Sequence, residues 1–303
     1  MITLFATARS FSGHMGLIQC NAIRSWLALC PPCEILLLGN DEGTSEIARE
    51  YRIGHIPDVG CNEFGTPLIS SLFGAAQKAA KHEVLCQINA DIMLTDDFLP
   101  AVKRALASKR KFLMSGQRWD VDMEKSWDFD QPDWPGRLRE YVHRHGSLHP
   151  ATGLDYFVFV KGTLGVIPPF AIGRRVLDNW LIYRARSLAL PVVDATSVIT
   201  AVHQNHGYAF YPAGPSAVME GPEVQRNLQL AGGEAFVFTL EDATHVLTAA
   251  GTKRIITLER MRRHFNALAV THPRLAPWVR LTSGPVRIAR SLGLWPPTNR
   301  EPG

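Results

Sequence analysis

The triplet Asn89-Ala90-Asp91 stands between two apolar runs, Val84-Leu85-Cys86-Gln87-Ile88 and Ile92-Met93-Leu94. Runs this short and apolar read as buried strands. A carboxylate at the end of such a strand is costly unless it is paired or holds a cation. The carboxyl end of a strand is also where open α/β sheets bind ligands. Asp91 therefore has two readings. It holds a divalent metal against a nucleotide diphosphate, or it caps the next helix in competition with Asp96 and Asp97. Magnesium and manganese take oxygen ligands, commonly one or two carboxylates plus substrate phosphates. Asp91 beside a neutral Asn89 leaves room for a diphosphate to complete that shell.

Three other groups carry chemistry of the same kind. His203 and His206 close a later apolar run, and imidazole is a further ligand for manganese more than for magnesium. Either histidine fits. His203 follows the strand directly and is the better fixed, while a histidine stacked in a polar loop is the plainer reading of both. Asp178 falls in the first turns of a helical pattern, where the helix N-terminus favours the anion. It serves there as a general base for an acceptor hydroxyl or only complements the dipole. Finally, the polar loops after the first two strand patterns, Thr7-Ala8-Arg9 and Asn40-Asp41-Glu42, suit a nucleotide crevice. Arg9 would meet phosphate, and Asp41 or Glu42 would accept from base or ribose.

The elements that must position these residues alternate. Strand patterns at residues 2–7, 34–38, 53–56, 84–88 and 111–115 alternate with helical patterns at 17–29, 44–51, 67–81 and 97–108. This series predicts an α/β fold with a mostly parallel central sheet and helices on both faces. Beyond residue 116 the character changes. Residues 118–134 carry Asp120, Asp122, Glu124, Asp128, Asp130 and Asp133 among Trp119, Trp127, Phe129 and Trp134. Aromatic faces beside carboxylates suit a sugar; the competing expectation is a surface loop pinned by its Trp side chains. Further strands are expected at 155–160, 192–193 and 198–202, helices at 173–188 and 258–268, and one short amphipathic helix at 281–294.

Bulk properties set the frame. The chain has 303 residues, 46% of them hydrophobic and 20% charged, as in soluble globular proteins. From Lys253 onward, ten Lys/Arg face two Glu, a net +8 against +4 for the whole chain, so the remainder carries −4. A basic end on an acidic body suits an anionic surface such as lipid. Its aromatics are too sparse for a single-strand nucleic-acid binder, and no clear nucleic-acid signal is present. The five cysteines are irregularly spaced. Cys20 and Cys86 read as core, and Cys30-Pro31-Pro32-Cys33 has no second pair to make a zinc site. With no leader pattern and no apolar run near about 18 residues, the expectation is a cytoplasmic protein, with possible peripheral contact at the inner face of an anionic membrane.

The order of these signals resembles the GT-A nucleotide-diphospho-sugar glycosyltransferases over roughly residues 1–210. Asn89-Ala90-Asp91 matches the second acid of that family's Asp-x-Asp metal motif, Asp178-Asn179 matches its acidic motif at a helix start, and His203 its C-terminal metal histidine. Gln117-Arg118-Trp119-Asp120, Gly153-Leu154-Asp155-Tyr156-Phe157 and His203-Gln204-Asn205-His206 are similar to segments of a group of bacterial and plant glycosyltransferase-like proteins. The resemblance implies a GT-A fold, with residues 1–116 as the nucleotide-sugar half, 117–250 as the acceptor half of the same domain, and 251–303 as a basic helical extension. It implies a nucleotide-diphospho-sugar donor held by Thr7, Arg9, Asp41, Asn89, Asp91 and the helix start at Thr66-Pro67. It further implies Mn2+ or Mg2+ on Asp91 with His203 or His206, Asp155 and the Trp-rich loop orienting donor sugar and acceptor, and Asp178 as base in an inverting transfer to a glycan or lipid-linked acceptor.

Two other classes compete. A sugar-1-phosphate nucleotidyltransferase would carry a Gly-rich loop with Arg and a downstream Lys after the first strand; residues 8–16 hold two glycines and no lysine. A non-catalytic nucleotide-sugar-binding module would keep the crevice and lose the chemistry, with Asn89 as the lesion.

Overall fold

A computed structural model describes residues 1–207 and 220–279. The elements, in order, are β1 (Ile2–Thr7), α1 (Gly13–Leu27), β2 (Glu34–Leu38), α2 (Thr44–Glu50), β3 (Gly54–Ile56), α3 (Ile69–Ala79), β4 (Val84–Ile88), β5 (Ile92–Leu94) and α4 (Phe98–Ser108). Then come β6 (Leu113–Ser115), β7 (Trp119–Val121), α5 (Trp134–His145), β8 (Ser147–Leu148), β9 (Tyr156–Val160), α6 (Leu177–Ser187), β10 (Val192–Asp194) and β11 (Ala201–Gln204). After the undescribed stretch follow α7 (Pro222–Ala231), β12 (His245–Thr248), β13 (Gly251–Arg254) and α8 (Leu258–Thr271). The helix expected at 281–294 lies outside the described residues.

Nine strands form one sheet in the order β13-β12-β10-β6-β9-β4-β1-β2-β3. Most neighbours are parallel, as the alternating strand and helix patterns require. The exceptions are β9, antiparallel to both β4 and β6, and the edge strand β13. Strands from both sides of residue 116 share this sheet. The chain divides into a unit spanning Met1–Ile255 and a second spanning Ile256–Gly303. In the second, α8 exposes Leu258 and Met261. Among the described residues no helix is long and apolar enough to cross a membrane. All five cysteines are free; Cys86 is buried and Cys20 is only half-buried, on a turn of α1 that reaches the surface.

A four-stranded sheet, β5-β11-β7-β8, stands apart from the large one. Its register matters for the site, because His203 pairs with Ile92 on one side and with Asp120 on the other. The Trp-rich segment serves this small sheet. Trp134 is buried with Met93, Val121, Leu138, Val142 and Val202, and Trp119, Trp127 and Phe129 pack against the same cluster. The rings are therefore spent on a side core. Their acidic neighbours face outward or, in Asp120, inward to the site. The expectation that this loop stacks a sugar is corrected: its aromatics pin the loop.

α1 ties the two sheets together through buried polar groups, each satisfied as burial demands. Gln19 clamps the loop after β1, accepting from Arg9 N at 2.7 Å and donating to Arg9 O at 3.0 Å. Asn21 donates to Gln204 Oε1 at 2.9 Å, and Gln204 Nε2 donates onward to Asp91 O at 3.1 Å. Trp26 Nε1 donates to Ile92 O at 2.8 Å. The helix begins four residues before the apolar periodicity does, because Gly16 lets the polar loop fold over its first turn. A Cβ there would stand 2.7 Å from the Phe11 carbonyl.

The core beneath the first crossover contains Phe5, Phe73 and Phe159. Phe73 stacks on Phe159 with centroids 5.3 Å apart and meets Phe5 edge-on at 5.2 Å. All three are buried. Phe73→Ala is expected to lower unfolding free energy by about 3–5 kcal/mol, read from urea denaturation. A loss below about 1 kcal/mol would mean that this cluster does not hold α3 to the sheet.

Candidate functional site

The carboxyl ends of β1 and β4 and the loops beside them border a cleft of about 460 Å³, within the usual range for a small-molecule site. Thr7, Arg9, Asp41, Thr66, Asn89, Asp91, Asp155, Asp178, His203 and His206 all line it. Glu42, the alternative to Asp41, accepts from Ser10 Oγ at 3.0 Å and is not among the lining residues.

Asp91 closes the three-residue step between β4 and β5. It caps nothing. Asp97 holds the N-cap position of α4, and its carboxylate accepts from Thr200 N at 3.0 Å. Asp91 Oδ2 lies 3.1 Å from His206 Nε2 and 3.8 Å from His203 Nε2. Ligand atoms of these three residues fall within 4.8 Å of one another, the one such group among the described residues. Burial would push the Asp91 carboxyl up, but the His206 hydrogen bond and the charges of His203, His206 and Arg118 outweigh it and hold it below its ordinary value. Its other oxygen, Oδ1, is buried with no hydrogen-bond partner. A buried anionic oxygen without a donor costs free energy unless a cation takes it. One carboxylate and two imidazoles make a mixed oxygen and nitrogen donor set that suits a first-row transition-metal dication better than magnesium, and the orphaned oxygen fits that set.

His203 is the third residue of β11. β11 runs two residues past the apolar run that marks it in the sequence. The placement of His203 inside the ladder sets its ring against Asp120 of β7, with Nδ1 donating to Oδ1 at 3.0 Å. Asp120 also receives His149 Nδ1 at 2.6 Å and Arg118 Nε at 2.8 Å. Burial opposes its ionisation, yet the His203 bond, the Arg118 charge and His149 hold its carboxyl well below the usual carboxylate range. Arg118 Nη1 then meets both oxygens of Asp155 at 2.7 Å. Asp155 also accepts from the Asn89 side chain at 2.8 Å, and its backbone carbonyl accepts from Asn89 N at 2.9 Å. Asn89 therefore spends its amide nitrogen on Asp155. Its carbonyl oxygen faces Gln87 Nε2 at 3.4 Å.

Arg118 and Asp120 belong to the segment Gln117-Arg118-Trp119-Asp120, to which the sequence assigns no separate role in the site. Their signal was present as alternate residues around Trp119, the period of a strand with one face turned inward. Thr66 differs from its expectation in another way. α3 begins at Ile69, and Thr66 N donates to Asn62 Oδ1 at 2.9 Å. The segment is thus an Asn-anchored turn rather than a helix start, and its lining residues are Phe64, Gly65, Thr66 and Pro67.

α6 begins at Leu177, four residues later than its pattern suggested, because residues 173–176 turn along the rim of the cleft. Val176 is buried with φ 97°. A β-branched residue in that region is strained, and the strain sits at the approach to Asp178. Asp178 is half-buried in the first turn. Burial and the Asp155 charge push it up to about 8, with Arg118 opposing. Here desolvation and a like charge outweigh the helix N-terminus.

No family model matches the chain, and no curated protein matches it in sequence. Solved structures match it in fold. The 1–349 segment of S. aureus TarS in complex with UDP-GlcNAc aligns over 93% of this chain and 74% of that one, at 11% identity and a TM-score of 0.51. The same segment in complex with UDP aligns over 93% and 73%, at 11% identity and a TM-score of 0.50. The mannosyltransferase PcManGT from Pyrobaculum calidifontis, in complex with GDP-Man and Mn2+, aligns over 69% and 58%, at 13% identity and a TM-score of 0.46. In a further alignment the chain spans 57% of the TarS segment, and it spans 48% of a longer TarS chain. The fold is that of the GT-A nucleotide-sugar glycosyltransferases.

Two outcomes follow from the electrostatics. Arg118→Met leaves two carboxylates facing each other with little solvent, and is expected to cost about 3–5 kcal/mol in urea unfolding; a cost under about 1 kcal/mol would contradict the network. For Asp178 the folded value lies above the ordinary 3.8. The stability it contributes is therefore complete below 3.8 and lost as pH rises through about 8. Asp178→Asn is expected to melt like the parent in acid and above it in alkali. Superimposable melting-temperature profiles across pH would refute the shift.

Proposed function

We propose that the chain is a glycosyltransferase that moves a sugar from a nucleotide-diphosphate donor to an acceptor hydroxyl. The observation that carries this reading is that Asp91, His203 and His206 lie together in the cleft that Thr7, Arg9, Asp41 and Thr66 also line. The shared fold supports it, and the UDP-GlcNAc held by S. aureus TarS makes that the first donor to try.

In this reading Thr7, Arg9, Asp41 and the turn at Thr66 hold the nucleotide. Gln19 fixes the Arg9 backbone, so the phosphate-facing loop is preset before the donor arrives. Asp91, His203 and His206 would hold a divalent cation, which supplies Lewis-acid charge neutralisation for a departing diphosphate. Arg118 and Asn89 immobilise Asp155 at the edge of the cleft, where it orients the donor sugar. Asp178 takes the proton of the acceptor hydroxyl as that oxygen bonds to the anomeric carbon. The bond from that carbon to the diphosphate breaks, its electron pair leaving with the diphosphate, and configuration inverts. A carboxylate pushed up to about 8 is a stronger base than an exposed one while still partly ionised near neutrality.

Release of UDP from UDP-GlcNAc, with Mn2+ added or chelated, tests the proposal. Turnover is expected to need the metal, to fall by about 100-fold or more in Asp91→Ala, and to rise with pH through about 8 in the parent only, the limb being absent in Asp178→Asn. Donor binding without turnover would make the chain a binding module. Neither binding nor turnover across UDP-, GDP-, ADP- and dTDP-sugars would end the glycosyltransferase reading.

A further inference from the structure

We infer that Asp120 is the positioning residue of the cation site, holding His203 so that its Nε2 faces Asp91. This rests on the cation site proposed above and adds a residue that does not itself touch the cation. Three observations carry it. The register of the small sheet sets Asp120 directly across from His203 on the neighbouring strand. One face of the imidazole edge, Nδ1, is bonded to Asp120 at 3.0 Å, while Nε2 of the same ring points to Asp91 Oδ2 at 3.8 Å. The carboxylate is itself fixed by His149 on Oδ2 and Arg118 Nε on Oδ1.

The chemistry follows from the acceptor-only nature of a carboxylate. With Asp120 ionised, His203 must carry its proton on Nδ1, which leaves the Nε2 lone pair for a cation. A carboxylate behind an imidazole also raises the electron density of the ligating nitrogen. His149 extends the support outward. Its backbone N donates to Arg118 O at 2.8 Å, and Gln117 Nε2 donates to its carbonyl at 2.7 Å. Its ring occupies space that any larger residue at Gly153 would claim, since a Cβ there would lie 2.4 Å from Nε2. His206 is held differently, with Nδ1 near its own chain at Gly207 O. His203 meets its supporting carboxylate, Asp120, through Nδ1, on the side of the ring away from Asp91, whereas the carboxylate at His206 is Asp91 itself, through Nε2.

The test is a Mn2+ titration followed by electron paramagnetic resonance on the full chain, with UDP present, for the parent and Asp120→Asn. The variant is expected to bind Mn2+ about 10–100-fold more weakly and to regain its kcat when Mn2+ is raised to saturation. A folded Asp120→Asn with parental Mn2+ affinity would overturn the inference, as would a kcat that stays low at saturating Mn2+. If Asp120→Asn does not fold, His149→Gln takes its place. That variant leaves the carboxylate and removes one anchor, so a several-fold weaker affinity supports the inference and an unchanged one overturns it. A parent that binds no Mn2+ with UDP present would refute the cation site itself, a result distinct from a selective failure of the variants.

Discussion

One guanidinium holds the site together. Arg118 bonds Asp155 through Nη1 and Asp120 through Nε. Asp155 fixes Asn89 at the end of β4, and Asp120 fixes His203 on β11. The large and small sheets are therefore also bridged by one half-buried guanidinium with a carboxylate on each side. The Arg118 and Asp155 side chains retain 17% and 6% of their exposure, so neither charge is tolerable without the other. Cation, carboxylates and histidines form one connected set, and the positions of Asp91 and His203 relative to each other follow from it.

α1 supplies the second constraint. An apolar helix face would bury α1 as well, but it would leave the backbone of the β4–β5 step and the loop after β1 unbonded. Gln19 and Trp26 bond those groups instead, and Asn21 holds the Gln204 amide that bonds Asp91 O. Satisfied buried polar groups fix one arrangement more sharply than apolar contact does. The site spends some of that stability. Asp91 Oδ1 is buried without a donor, Asp178 is held where ionisation is unfavourable, and Val176 is strained beside it. Such features collect where a ligand or a reaction uses them.

The chain's own pattern displayed part of this. The apolar runs around Asn89-Ala90-Asp91 made strands of the expected kind, and the parallel core was readable from alternating strand and helix periods. Thr7, Arg9, Asp41, Asn89 and Asp91 converge because they close or follow parallel strands, whose carboxyl ends share a side; Asp155 joins them at the start of the antiparallel β9, and His203 and His206 come from the small sheet and the loop after it. The antiparallel course of β9 was hidden, since a fully buried strand reads the same in either direction. The small sheet was hidden too. Its strands are two to four residues long, too short for a period to show, and its pairing of Asp120 with His203 joins positions 83 residues apart. The Trp-rich segment misled for a related reason. Aromatics between acids suit a sugar and a side core equally, and only the fold decides which face they take.

The account turns on Asp91, His203 and His206 sharing one divalent cation beside the nucleotide diphosphate. Electron spin-echo modulation of Mn2+ bound in the presence of UDP reads the nitrogen nuclei on the metal directly. Couplings to two imidazole nitrogens in the parent, with one lost in His203→Gln and the other in His206→Gln, are the predicted result. Bound Mn2+ showing phosphorus coupling from UDP but no histidine nitrogen would contradict the account.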